Sequence, residues 1–149
     1  MMSEIAISKN SGIREAVLQF QSIIEQMPQV DCPVTHHFAP GVYCREIFMP
    51  AGAVVIGKIH KHSHMNIISQ GRCVVVTEHG REELVAPCTF VSQPGIKRAV
   101  LVYEDTIWTT IHPTEETDLA IIEEEVIAKD YEELERFMLS GGLKYEVLP

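Results

Sequence analysis

The densest chemistry in the chain is Gly57-Lys58-Ile59-His60-Lys61-His62-Ser63-His64, where three of the seven histidines alternate with other residues. On a β-strand, alternate side chains share a face. His60, His62 and His64 therefore point one way if the strand stays regular, and imidazole nitrogens so placed can converge on a divalent metal. Zinc, iron, nickel and manganese all suit such donors. A solvated strand carrying three histidines fits the same residues. A local bulge would turn His62 inward in place of His60.

His112 is a fourth candidate. The runs Ala99–Tyr103 and Thr106–His112 flank Glu104-Asp105, a turn signal, and are expected to form a hairpin. Centred on Asp105, that hairpin sets Arg98 opposite His112, with β-carbons roughly 5 Å apart. His60, His64 and His112 then make a three-nitrogen site with open positions. The alternative is that His112 caps a strand end beside Pro113. Arg98 and Lys58 add two cations to the same inner face, which is costly unless they are paired. Glu46, Glu78 or a bound anion are the candidate partners, and the planar guanidinium suits carboxylate or phosphate. Trp108, on a strand with Thr109 and Thr110, joins Lys58 and Arg98 as a ligand-lining candidate, or else belongs to the core or rim.

The elements that must position these residues are short. From about 41 to 113, apolar runs of a few residues alternate with turn signals such as Pro50-Ala51-Gly52, His79-Gly80 and Pro94-Gly95. That rhythm indicates an antiparallel β-barrel or jelly roll rather than a parallel α/β sheet. Ahead of it, Ile13, Val17, Phe20, Ile23, Ile24 and Met27 recur at helical spacing and predict a helix over 12–27, stopped by Pro28. His36-His37 falls in a predicted loop at the barrel mouth. Behind the barrel, helical spacing returns over 118–139, ended by Gly141-Gly142, with Tyr145–Val147 as a last strand. The whole chain of 149 residues is expected to be one domain.

Here the sequence resembles the cupin superfamily. The first cupin motif runs from a glycine through H-x-H and a glutamate to a closing glycine, and Gly71 fits the closing position. Counting back, the resemblance places His64 at the glutamate, His60 at the second histidine and Lys58 at the first. Pro94-Gly95-Ile96-Lys97-Arg98 resembles the second motif and puts Arg98 at the third histidine position. The resemblance covers about residues 40–113 and implies a mainly β, cupin-type barrel with flanking N- and C-terminal helices. Lys58 and Arg98 depart from the ligand pattern, since each normally carries a positive charge. Thr35–Tyr43 and Trp108–His112 are also similar to small cupin-like proteins of tailed bacteriophages.

Charge and cysteines narrow the classes. Net charge is −9, and residues 115–136 hold ten acids against two bases, so the remainder is almost neutral. No basic stripe exists to neutralise phosphates, which argues against nucleic acid as a partner. The acidic segment reads as a solvated helical face. Cys32, Cys44, Cys73 and Cys88 contain no C-x-x-C and read as reduced thiols, Cys44 and Cys73 as small core residues. No apolar run is long enough to span a membrane, and an acid stands where a signal peptide would be basic. A cytoplasmic protein is expected.

Two functions follow as expectations. One is a metal-dependent enzyme acting on a small polar or anionic substrate, with His62 or His36 as general base. The other is a non-catalytic barrel that holds an anionic small molecule, such as a nucleotide or sugar derivative, through Arg98, Lys58 and Lys97. A homodimer is expected, through the N-terminal helix and residues 42–49, because sheet edges need cover.

Overall fold

The computed structural model describes the backbone of residues 2–142 and the side chains of residues 12–140. The expected strand at Tyr145–Val147 lies outside the described residues. The elements in order are α1 (Met2–Glu25), β1 (Val34–Ala39), β2 (Val42–Met49), β3 (Val54–Ile56), β4 (Ile59–His60), β5 (His64–Thr77), β6 (Gly80–Val85), β7 (Cys88–Ser92), β8 (Ala99–Pro113), α2 (Leu119–Val126), β9 (Ile127–Ala128) and α3 (Tyr131–Phe137).

Two long strands organise the rest. β5 and β8 run antiparallel from Met65↔Ile111 to Val76↔Ala99, and β8 also carries β2 and β3 on its other edge. β1 extends the sheet beyond β2, while β5 also pairs with β6 and β7. All pairings are antiparallel, as the short alternating runs predict. The fold class is therefore mainly β with flanking helices. Its core is Met49, Ala53, Ile68, Cys73, Val75, Leu84, Val100, Val102 and Trp108.

A strand of this length must bend to roll up, and β5 bends where its register against β8 slips between Ile68 and Cys73. Extra residues on one strand of a pair supply such curvature. Gly71 sits at that slip with φ +96°, and a Cβ there would lie 2.4 Å from the Asp105 carbonyl oxygen. Glycine is thus required twice over, by its backbone conformation and by the approach of β8.

Four expectations are corrected. Ala99–His112 is not a hairpin about Asp105 but part of one continuous strand. Pairing with β5 continues on either side of Asp105, through Gln70↔Ile107 and Arg72↔Glu104, and the register slips there leave extra residues on both strands. β1 extends the barrel upstream to Val34, so His36 and His37 lie on a strand rather than a loop. The helix expected at 12–27 is longer at its start and ends at Glu25; Gly12 does not break it. The 118–139 segment does hold helices, N-capped by Asp118 and Asp130, but β9 interrupts them and pairs with β4 as Ile59↔Ala128 and His60↔Ile127. Ile59, Ala128 and Leu134 form a second small core beneath that ribbon.

Gly71→Ala is expected to destabilise the protein by at least about 2 kcal/mol, through backbone strain and overpacking combined. Chemical denaturation of the variant against wild type measures it. A change below 0.5 kcal/mol, within the range of ordinary surface substitutions, would contradict the packing described.

Candidate functional site

His60 ends β4, His64 begins β5 and His112 lies near the end of β8. On β8, Trp108, Thr110 and His112 alternate on one face. Their β5 neighbours keep the same parity, with Asn66↔Thr110 and Ile68↔Trp108 paired. His64 follows one step beyond the Met65↔Ile111 pair, beside His112. The imidazole centroids are 4.1 Å apart for His60–His64, 5.1 Å for His64–His112 and 5.6 Å for His60–His112. Three of the four candidate histidines thus meet, although the hairpin that was to bring in His112 does not form. His112 arrives through β5–β8 pairing instead.

His62 does not join them. The chain bends at Lys61 and His62, which breaks the alternation. His62 then lies edge-on to Phe137 with its Nε2 3.2 Å from the Glu125 carbonyl. Lys58 is also not inside the barrel. It is exposed at the cavity rim and pairs with Glu123 of α2.

The cluster opens into a cavity of about 390 Å³. Its barrel wall includes Ile47, Met49, Val55 and Val100, and its outer wall is α2, through Leu119, Ile122, Glu123 and Val126. The acidic C-terminal segment is therefore more than a solvated face, since its apolar side closes one side of the cavity. Glu123 and Glu133 hold it down through Lys58 and Lys61.

Arg98 enters the cavity on a polar scaffold buried in the barrel. Trp108 Nε1 donates to Asn66 Oδ1 at 3.0 Å, Asn66 Nδ2 donates to Ser92 Oγ at 2.7 Å, and the Arg98 guanidinium donates to the same Ser92 Oγ at 2.5 Å. Phe90 and Trp108 flank the guanidinium, with ring centroids 5.5 and 5.7 Å away. Trp108 is thus both core residue and cavity lining. The partners expected for Arg98 are engaged elsewhere: Glu46 lies 3.3 Å from His37, and Glu78 binds Arg14 at 2.7 Å.

Three lining residues were not singled out from sequence. Tyr43 takes up His36, whose Nδ1 is 2.7 Å from its hydroxyl, and stacks on His112. Arg45 lines the cavity from β2, and Asn66 anchors Trp108. Only the period-two pattern of Tyr43, Arg45, Ile47 and Met49 could have flagged Arg45. Its inward parity became meaningful once Tyr43 and Met49 were seen to be buried. Cys73 is buried in the core, as expected, and burial pushes its thiol up to about 11, whereas Cys44 is only half-buried and lies outside that core.

The histidines are held neutral. Burial, and then the neighbouring His64 and His112, push His60 down to about 3. Burial first and His64 second push His112 down to about 4, and burial lowers His64 as well. The Arg98 charge acts on His60 and His64, and the Arg45 charge on His60 and His112. Neutral imidazole is the form that ligates metal. The buried Nδ1 of His60 and both ring nitrogens of His64 have no hydrogen-bond partner. Such nitrogens are donors of the type that divalent transition metals take. The rings stand within 9–34° of parallel. Among the described residues, no group of three or more His, Cys, Asp or Glu is poised as a coordination shell.

The rolled antiparallel sheet has the fold seen in cupins. No family model matches the chain, and no curated protein does. Solved structures do. A cupin superfamily protein from Desulfitobacterium hafniense matches with a TM-score of 0.50 at 12% identity, over 59% of this chain and 82% of that one. Ectoine synthase from P. lautus matches with a TM-score of 0.54 at 9% identity, over 68% and 78%. A glycine-to-alanine variant of salicylate 1,2-dioxygenase from Pseudoaminobacter salicylatoxidans matches with a TM-score of 0.51 at 15% identity, over 74% of this chain and 34% of that one. At these identities the likeness is one of fold. No helix among the described residues is long and apolar enough to cross a membrane.

The metal-free protein is expected to lose stability as pH falls from 6.5 towards 4. His60 and His112 protonate far more readily in the unfolded chain than in the folded one. Their contribution is therefore complete above pH 6.5 and is lost on the acid side. Each contributes at most about 1.4 kcal/mol per pH unit. Denaturation midpoints across that window, for wild type and His60→Gln, measure the effect. An equal slope in the variant would show that His60 does not contribute.

Proposed function

We propose that this chain is a small metal-binding cupin, whose His60, His64 and His112 take one divalent transition metal at the base of a cavity that receives a small polar or anionic molecule. The observation that carries this reading is the set of partnerless ring nitrogens on His60 and His64, buried beside a third neutral imidazole. Leaving such groups unpaired costs free energy unless something else satisfies them. Zinc, iron, nickel and manganese all accept this donor set. A metal bound there supplies Lewis acidity towards a ligand oxygen. Among the chain's own residues, Arg98 attracts and orients the anion, and α2 restricts water. His36 can pass a proton to or from the Tyr43 hydroxyl. Of the two acid–base candidates, His36 and His62, the first is the one that lines the cavity. Fold alone selects no reaction.

A second reading keeps the anion and omits both metal and catalysis. The near-parallel histidine rings and the guanidinium of Arg98 favour it. Calorimetric titration of chelator-treated protein with Co²⁺ or Zn²⁺ separates the two. About one metal per chain, abolished by His60→Ala or His64→Ala and kept by Lys61→Ala, supports the metal site. No uptake by wild type leaves the metal-free binder.

A second copy of the chain is the proposed partner of α1. Phe20 and Ile23 lie on α1 at 41% and 60% exposure, and Met27 and Val30, just beyond its end, are exposed too. The contact does not run along residues 42–49, because β1 already covers that edge of β2. Light scattering at high concentration should give twice the chain mass, and Ile23→Glu should return it to one. A monomeric wild type would contradict this.

A further inference from the structure

The cavity holds more positive charge than the protein neutralises. Its charged lining residues are Arg45, Lys58, Arg98 and Glu123. Lys58 and Glu123 pair at the rim. No ion pair among the described residues includes Arg45 or Arg98, although both are half-buried. Among the described residues, the only hydrogen bond from the Arg98 side chain goes to a neutral hydroxyl. Half-buried guanidinium groups without a carboxylate in direct contact are costly, so this arrangement favours an anion supplied from outside.

The two cations are not one cluster. Arg98 is seated beside Trp108, and Arg45 pairs in register with Thr110, two residues along the same strand. The three histidines line the same cavity as both arginines. Between these polar points the wall is hydrocarbon, from Met49, Val55, Val100 and Ile122. A phosphate has no use for that wall, and a sugar would bury hydroxyls against it without partners.

We infer that the cavity takes a short organic dicarboxylate, one carboxylate on the Arg98 fork, the other on Arg45, and the carbon chain against the apolar wall. This rests on reading the cavity as a ligand site, and it narrows the anionic ligand to one class. Planar guanidinium and planar carboxylate match in bidentate geometry. Asn66, Ser92 and Trp108 act as positioning residues, because they fix the side from which Arg98 presents its remaining donors.

Trp108 is the only tryptophan in the chain and stands against Arg98, so its fluorescence reports occupancy. The experiment titrates the whole protein with succinate, glutarate, butyrate and inorganic phosphate, once with chelator and once with Zn²⁺. A dicarboxylate is expected to bind at least about tenfold tighter than butyrate or phosphate. Arg98→Gln and Arg45→Gln should each remove roughly ten- to hundredfold of that affinity, the usual worth of a charge-assisted bond. Arg98→Lys should retain the preference for two carboxylates at reduced affinity. Butyrate or phosphate binding as tightly as glutarate overturns the inference, as does full affinity in Arg45→Gln. If a variant fails to fold, the wild-type ratios decide alone. Dicarboxylate binding under chelator, without metal uptake, upholds the inference while removing the metal site. Metal uptake with no dicarboxylate binding does the reverse.

Discussion

The pairing of β5 with β8 is the constraint on which the rest depends. Both strands are long, and they stay hydrogen-bonded from Met65↔Ile111 to Val76↔Ala99 despite the slip near Gly71. Without the slip the sheet would remain too open to enclose a cavity. With it, the inward faces of the two strands bring Asn66, Trp108, Thr110 and His112 around one space, and β2 adds Tyr43 and Arg45. Strand parity does the selecting: once one residue of an alternating run faces inward, its second neighbours must follow.

The site combines two electrostatic problems that the fold leaves open. Three imidazoles meet in a space where burial disfavours protonation of each, and several of their nitrogens have no partner. Nearby, two guanidinium groups make no ion pair among the described residues. Burying polar groups this way runs against stability, and such departures gather where a protein binds something. The scaffold beneath them is by contrast fully engaged. Asn66 and Ser92 are essentially inaccessible, and they link the indole of Trp108 to the guanidinium of Arg98. A rigid polar network under a reactive surface is what holds site geometry steady.

The C-terminal segment shows how composition can hide a role. Its charge profile describes a solvated helix, and Glu124, Glu132 and Glu135 are indeed exposed. Yet Ile122 is buried against the cavity, and β9 pairs with the strand that carries His60. One amphipathic helix therefore serves solvent on one side and the binding space on the other. The segment that walls the site lies outside the stretch that resembles cupin motifs.

The sequence by itself determined the fold class, because turn signals at short intervals and period-two apolar runs leave few alternatives to an antiparallel barrel. It also singled out His60, His64, His112 and Arg98, although the hairpin that was to set His112 opposite Arg98 does not form. His60 and Arg98 could be counted from motif glycines, and Gly71 proved to be the residue that β8 crowds. Tertiary structure alone decided the rest. His62 leaves the cluster because the chain bends between His60 and His64, and a bend cancels the parity from which its direction was read. Lys58 goes to the rim because Glu123, distant in sequence, is there to meet it. Arg45 enters the site because β8 fixes the facing of β2. Local patterns record which side of a strand a residue occupies; only the closure of the sheet settles which side becomes the inside.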